Sequence, residues 1–303
     1  MSDIANQHMD SKQEAYWNDL VSSPTSRYKE GMMEKLLAEF FPKQAHSLID
    51  IGCGTCSTIL KYKKRLNASR IVCTDYDEKI VEEMRRKHGN DGIEWIVADI
   101  FKLSGLHDSF DLVFLMDMIH EVYSFYGRPT RDPETPIDHE LGLQFTKRAF
   151  AEVGKIVRKG GGILLTDDVL SEDNVQLKVT IKNSDAGEAV RYFLQHYPSR
   201  KIAASFVDPT TFTIPSRDLN ILLTQYNKVK RKDWDRWKIE RLEIHEYLSE
   251  SEYRAMFAEL GFKLHSIVGT PPEAQSEWEA DFAVIDGARS LPNKRITLLA
   301  TKQ

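Results

Sequence analysis

Long apolar runs, a cysteine framework and a strong charge of either sign are all missing from this 303-residue chain. No stretch approaches the ~18 consecutive apolar residues of a membrane-spanning helix, which excludes a helical membrane protein and leaves no membrane partner expected. The three cysteines, Cys53, Cys56 and Cys73, are odd in number and crowded together. That is a poor disulfide framework and fits reduced thiols. The opening MSDIANQHMDSKQEAYW has neither a basic leader nor an apolar core, so no signal peptide is expected and the expected location is the cytoplasm. A formal charge of −5 gives no footprint of a protein that binds polyanions as a whole. Internal repeats and low-complexity tracts are lacking too.

What is present is the composition of a folded α/β chain. Hydrophobic residues make up 41% and charged residues 29%, ordinary for a globular protein. Short apolar runs, HSLIDI, SRIVCTD, IEWIVAD, FDLVFLMD and GGILLTDD, recur between amphipathic segments such as DEKIVEEMRRK, where Ile80, Val81 and Met84 share a helical face. Nearly continuous apolar runs are what strands buried on both faces require. The alternation predicts a parallel sheet with helices on both sides. Before it, EGMMEKLLAEFF places Met33, Leu36, Leu37 and Phe40 on one helical face, with Pro42 closing the helix.

Near the C-terminus, Ser249 and Glu252 form a capping-box signature ahead of a stripe of Tyr253, Met256, Phe257 and Leu260, and Gly261 is a natural stop. Two further runs, KLHSIV and RITLLAT, are joined by a polar loop and are expected to pair as an antiparallel edge. Residues 171–244 break the rhythm. They hold 13 Lys/Arg and 10 Asp/Glu, a net of +3 against −5 for the whole chain, and many aromatics. This segment is expected to be a folded, helical, substrate-binding insertion that caps the strand ends, where ligands of open α/β sheets bind.

The chemistry-bearing signal begins at SLIDIGCGTCSTIL. A strand ends at Asp50, Gly52 and Gly54 turn the chain so that a ligand can approach the backbone, and a helix starts near Ser57 with free N–H groups facing that ligand. Asp75 ends the next strand, 21 residues past Gly54, where a carboxylate can accept both hydroxyls of a ribose. Asp99 follows the third strand, within reach of an adenine edge.

These residues together resemble the class I S-adenosylmethionine-dependent methyltransferases, over roughly residues 30–170 and 245–303. The resemblance implies a Rossmann-like, seven-stranded, mostly parallel sheet of order 3-2-1-4-5-7-6 with the last strand antiparallel. It implies S-adenosyl-L-methionine as cofactor, held by Asp50, Gly52, Gly54, Asp75, Tyr76, Asp99, Ile100 and Asp117. In similar enzymes an N-terminal helix covers the cofactor. Here the segment 1–29, with Tyr16, Trp17, Arg27 and Tyr28, takes that place, Arg27 facing the methionine carboxylate. Cys56 stands where many members have a third glycine. Ser57 stands at the last glycine of a nicotinamide-binding G-x-G-x-x-G turn, which counts against a dehydrogenase.

His120 and Glu121, after the fourth strand, are the candidate catalytic pair. A hydroxyl acceptor must lose a proton, and an imidazole with a reference pKa near ~6.5 suits that task. Tyr123, Arg200 and Arg217 are candidate substrate contacts, the arginines for an anionic group. The acceptor is expected to be a small molecule methylated at oxygen. A nitrogen acceptor is the near alternative, and binding of the cofactor without turnover is a further one. KVKRKDWDRWK is basic and carries two tryptophans, but acids interleave it, so no nucleic acid partner is expected. Cys53 and Cys56 have metal spacing without a second Cys or His pair, and Asp138, His139, His245 and Glu246 are no better placed, so no metal is expected. The oligomeric state is left open.

Overall fold

The computed structural model describes residues 24–303 apart from 42, 43, 90 and 108, so Pro42, Tyr16 and Trp17 lie outside the described residues. The first described helix, α1 (Pro24–Phe40), packs Met33, Leu36 and Leu37 against the core. Strands β1 (Ser47–Ile51), β2 (Arg70–Asp75), β3 (Ile93–Val97), β4 (Phe110–Met116) and β5 (Val157–Asp168) pair in parallel. Between them run α2 (Ser57–Arg65), α3 (Glu78–His88), α4 (Ile119–Tyr126) and α5 (His139–Ile156). The sheet ends with β9 (Phe262–Gly269) and β11 (Arg295–Lys302), giving the order β3-β2-β1-β4-β5-β11-β9. Counted along this sheet alone, that is 3-2-1-4-5-7-6, with β11 antiparallel to both neighbours.

Successive strand residues feed opposite faces, as the pleat requires. Ile49, Val113, Leu115, Ile163 and Leu165 join the cluster under α5 and α9 (Glu250–Glu259). Leu48, Leu112, Phe114 and Leu164 join the cluster under α1 and α2. The central strands are therefore buried on both faces, as their apolar runs demand. IEWIVAD departs from this. β3 is an edge strand, part-exposed along its length, with Val97 47% exposed.

Residues 171–244 are helical in most of their regular structure but also carry three short strands. They contain β6 (Gln176–Ile181), α6 (Ser184–His196), β7 (Ser205–Asp208), β8 (Thr211–Pro215), α7 (Ser216–Lys230) and α8 (Trp234–Glu240). Leu177, Val179 and Ile181, like Phe212 and Ile214, alternate along two short strands and turn inward. This period of two is easily masked by the aromatics around it. The second sheet, β10-β6-β8-β7, takes its first strand from outside the insertion, β10 (Phe282–Asp286). The segment between β9 and β11 is thus no plain polar loop, since it carries α10 (Pro272–Asp281) and β10. One apolar cluster runs through both sheets, from Ile49 and Val113 to Phe193, Phe212 and Tyr226. Among the described residues no helix is long and apolar enough to cross a membrane.

Candidate functional site

A cavity of about 570 Å³ opens at the carboxyl ends of β1, β2, β4 and β5. This is where the strand order reverses about β1 and β4, the usual ligand position of such sheets. Its other walls come from α1, α7, α8 and α10.

The side below β1 and β2 is built for close approach. Gly52 (φ 67°) and Gly54 (φ 47°) are left-handed, and a Cβ on Gly52 would stand 3.2 Å from the Met118 side chain. Cys56 caps α2 at φ 57°, so it keeps the backbone shape of a glycine while burying its thiol. Asp50 is buried and its Oδ1 faces no hydrogen-bond donor, although the residue lines the cavity. Burial, reinforced by Cys53 and Asp75, pushes its carboxyl well above the usual range. Asp75 accepts from the Gly54 amide at 3.3 Å and from the Asp77 amide at 3.1 Å. Burial pushes its carboxyl up to about 7. Two buried carboxylates facing open space call for a ligand rich in N–H or O–H donors. The amino acid and ribose groups of a sulfonium nucleoside have that pattern, so the residues fit the expected cofactor.

The third strand-end acid stands aside. Asp99 caps a short 3-10 turn by accepting from the Phe101 amide at 2.9 Å, and its other oxygen accepts from the Tyr126 hydroxyl at 2.9 Å. Neither Asp99 nor the buried Ile100 lines the cavity, whereas Tyr76 does. Arg27 is exposed on α1 and also lies off the cavity; Thr25, Ser26 and Lys29 of the same helix line it. Lys29 and Arg295 both pair with Asp117, which sits at φ 51° just past β4. Burial alone would raise the Asp117 carboxyl, but Arg295 and Lys29 hold it well below the carboxylate range.

On the side toward β5, His120 is the centre. Its Nδ1 lies 2.8 Å from Asp167 Oδ1, and its backbone amide donates to Asp167 Oδ2 at 3.2 Å. Tyr247 donates to the same Oδ2 at 3.1 Å and receives a hydrogen bond from Tyr253 at 2.7 Å. Across the ring, His120 Nε2 is 3.6 Å from Glu243 Oε2. The His245 ring stacks on that of His120, centroids 4.3 Å apart. Burial would lower the His120 pKa, but Asp167 and Glu243 raise it well above the ordinary value. Glu121 lines the cavity one residue on.

The remaining expected contacts are held elsewhere. Tyr123 meets His139 Nδ1 at 2.8 Å, Arg200 pairs with Asp218 at 3.0 Å, and Arg217 binds the Ser171 and Glu172 carbonyls and Glu252. None of the three lines the cavity.

Sequence reasoning passed over Asp167, Asp168, Glu240, Glu243, Lys228, Lys294 and Arg295. The two aspartates end GGILLTDD, so the rule that singled out Asp75 applied equally to them. The others carried no local signal. Cys73 on β2 also joins Cys53 and Cys56, the three buried thiols lying within 4.8 Å of one another.

Residues 48–125 match the profile of a methyltransferase domain. Over 90 residues the chain is 32% identical to the ribosomal protein L11 methyltransferase of Thermotoga maritima, covering 30% of this chain and 32% of that protein. The match thus spans about a third of the curated relative's length. The fold is similar to a crystal structure of an S-adenosylmethionine-dependent methyltransferase from Mesorhizobium loti, with a TM-score of 0.51 at 14% identity, over 93% of this chain and 100% of that one. It is also similar to the 1,6-didemethyltoxoflavin-N1-methyltransferase of Burkholderia thailandensis, solved with 1,6-didemethyltoxoflavin and S-adenosylhomocysteine bound. That likeness has a TM-score of 0.50 at 11% identity, over 99% of this chain and 86% of that one. At these identities the two likenesses are of fold.

Proposed function

From a chain with the fold of the class I methyltransferases and their domain over residues 48–125, we infer an S-adenosylmethionine-dependent methyltransferase that acts on a small molecule at oxygen. The carrying observation is one cavity bounded by two chemistries. Buried Asp50 and Asp75 face it beside left-handed glycines, and a carboxylate-held imidazole, His120, faces it a short way off.

Asp75 is the acceptor for ribose hydroxyls, and the orphaned Asp50 Oδ1 takes an amino or hydroxyl donor of the same cofactor. The Gly52 and Gly54 turn lets the cofactor lie against the backbone. When bound, S-adenosylmethionine supplies an electrophilic methyl group on a sulfonium. The protein's share is mostly orientation. The walls from α7, α8 and α10, together with α1, enclose a modest ligand and limit water. A hydroxyl acceptor reacts faster as its proton leaves. His120 Nε2 takes that proton, and Asp167 on Nδ1 fixes the ring and stabilises the imidazolium. Because His120 binds its proton more tightly than a free imidazole, activity rises with pH as that proton is shed. A nitrogen acceptor would need alignment more than a base.

The test is formation of S-adenosylhomocysteine with a panel of small hydroxylated and amine acceptors, comparing the intact protein with His120→Ala. Base catalysis of this kind contributes ~10²–10⁴-fold. A loss in that range on a hydroxyl acceptor supports the oxygen reading. A loss below about tenfold argues against it. Cofactor binding with no product from any acceptor would instead fit a binding protein.

A further inference from the structure

Two groups of metal-type side chains come together among the described residues: the three thiols, and His120, Glu243 and His245. The thiols are buried, with only Cys53 reaching the cavity, and among the described residues no fourth donor joins them. The second group borders the cavity, which His120 and His245 both line.

We propose that His120 Nε2, His245 Nε2 and Glu243 Oε2 form a binding site for a divalent first-row transition-metal ion at the acceptor end of the cavity.

Spacing carries the proposal. Glu243 Oε2 is 3.6 Å from His120 Nε2 and 3.3 Å from His245 Nε2, and all three donor atoms fall within 4.8 Å of one another. Donors held ~2.0–2.1 Å from a tetrahedral zinc ion stand roughly 3.3 Å apart. Two imidazoles and one carboxylate, with the fourth place open to water or substrate, is the donor set of catalytic zinc sites.

The surroundings carry it further. A ligating imidazole usually gives its other ring nitrogen to a carboxylate, which fixes the ring. His120 does this with Asp167, itself anchored by the Tyr247 hydroxyl. His245 Nε2 is buried 3.1 Å from Glu240 and 3.3 Å from Glu243, yet is aligned for a hydrogen bond with neither. An ion lies in the plane of an imidazole, so the stacked rings cannot both bind as they stand. The aryl-type torsion of histidine is soft. To bind an ion the His245 ring turns about that torsion, giving up its Nε2 contacts with Glu240 and Glu243, while Asp167 keeps His120 in place. Glu240, paired with Lys228 at 3.1 Å, is a further carboxylate beside the site.

What the ion would do rests on the methyltransferase reading; that the ion binds does not. On that reading a hydroxyl of the acceptor takes the open position. Its O–H bond breaks with the electron pair staying on oxygen, and the proton leaves to a nearby carboxylate or to water. His120 is then a ligand, and the ion replaces it in lowering the hydroxyl pKa.

The test uses the whole chain, stripped with a chelator and titrated with Zn²⁺ by calorimetry and with Co²⁺ by visible absorption. One equivalent is expected at micromolar Kd or tighter. The Co²⁺ spectrum should have d–d bands and no thiolate charge-transfer band. His245→Ala and His245→Gln should each weaken binding at least about a hundredfold, and Asp167→Asn about ten- to a hundredfold. Cys73→Ser should leave Kd unchanged. S-adenosylmethionine binding by the metal-free His245 variants shows that they are folded. No stoichiometric binding overturns the site, as does binding indifferent to His245 or marked by thiolate bands. If the ion binds but no acceptor is ever methylated, the site stands and the methyltransferase reading fails. If acceptors are methylated but the stripped chain takes up no ion in the titration, the methyltransferase reading stands and the site fails.

Discussion

Asp75 is 4% exposed, and its carboxyl titrates near 7 rather than at the ordinary 3.8. The unfolded chain loses this proton at much lower pH. In the empty protein the group's contribution to stability therefore falls as pH rises from about 4 to 7 and stays low above that. Ligand binding runs the other way. Ribose hydroxyls donate to the ionised form, so the Kd for S-adenosylmethionine should rise as pH is lowered through 7, by up to about tenfold per unit. Asp75→Asn should weaken binding and flatten that dependence. Calorimetry between pH 8 and 5.5 decides it, and a flat profile for the intact protein would remove Asp75 from the ribose site. At this scale the sequence was most legible where a carboxylate ends a strand. Asp50 and Asp75 occupy the cavity, and the same rule reaches Asp167, which holds His120. At Asp99 the carboxylate instead lies off the cavity lining and accepts from the Phe101 amide and Tyr126.

Among the elements, α9 shows how local chemistry declares itself. Ser249 accepts from the Glu252 amide while Glu252 accepts from the Ser249 amide at 2.7 Å, and Gly261 follows the helix at φ 79°. All of this lies within a dozen residues, so it could be read directly. Ser249→Ala removes one half of the box and should cost about 1 kcal/mol in denaturant unfolding. A change within experimental error would mean the helix is held by packing alone. The cap matters beyond itself, because α9 carries Tyr253, whose hydroxyl supports Tyr247 and so Asp167. The second sheet hid because its strands are short and meet partners far along the chain. β6 pairs with β10 from about a hundred residues away, and no local pattern encodes such a pairing.

Over the whole molecule, Asp281 shows what binds the insertion to the rest. It is fully buried at the end of α10 and accepts from the Tyr226 hydroxyl at 2.9 Å, Lys230 Nζ at 2.5 Å and Asn183 Nδ2 at 2.5 Å. These donors sit on α7 or at the cap of α6. Asp281→Ala strands a part-buried lysine and two other donors, and should destabilise by about 3–5 kcal/mol. Because one apolar cluster spans both sheets, that loss should lower a single unfolding transition. Two separate transitions, with only one shifted, would show that the insertion folds on its own.

The sequence by itself determined the strand–helix alternation, the glycine turn and the acids at the strand ends, while the order of the main sheet came only as what the family resemblance implies. The alternation, the turn and the acids depend on residue periods and on neighbours a few positions apart, which the chain carries in its local order. Only the tertiary structure decided how the cavity is closed and what faces His120. Glu243 and His245 lie more than a hundred residues further along, and Arg295 reaches Asp117 across 178 positions. Contacts of that range come from packing one sheet against another, and a reading along the chain has no measure of them.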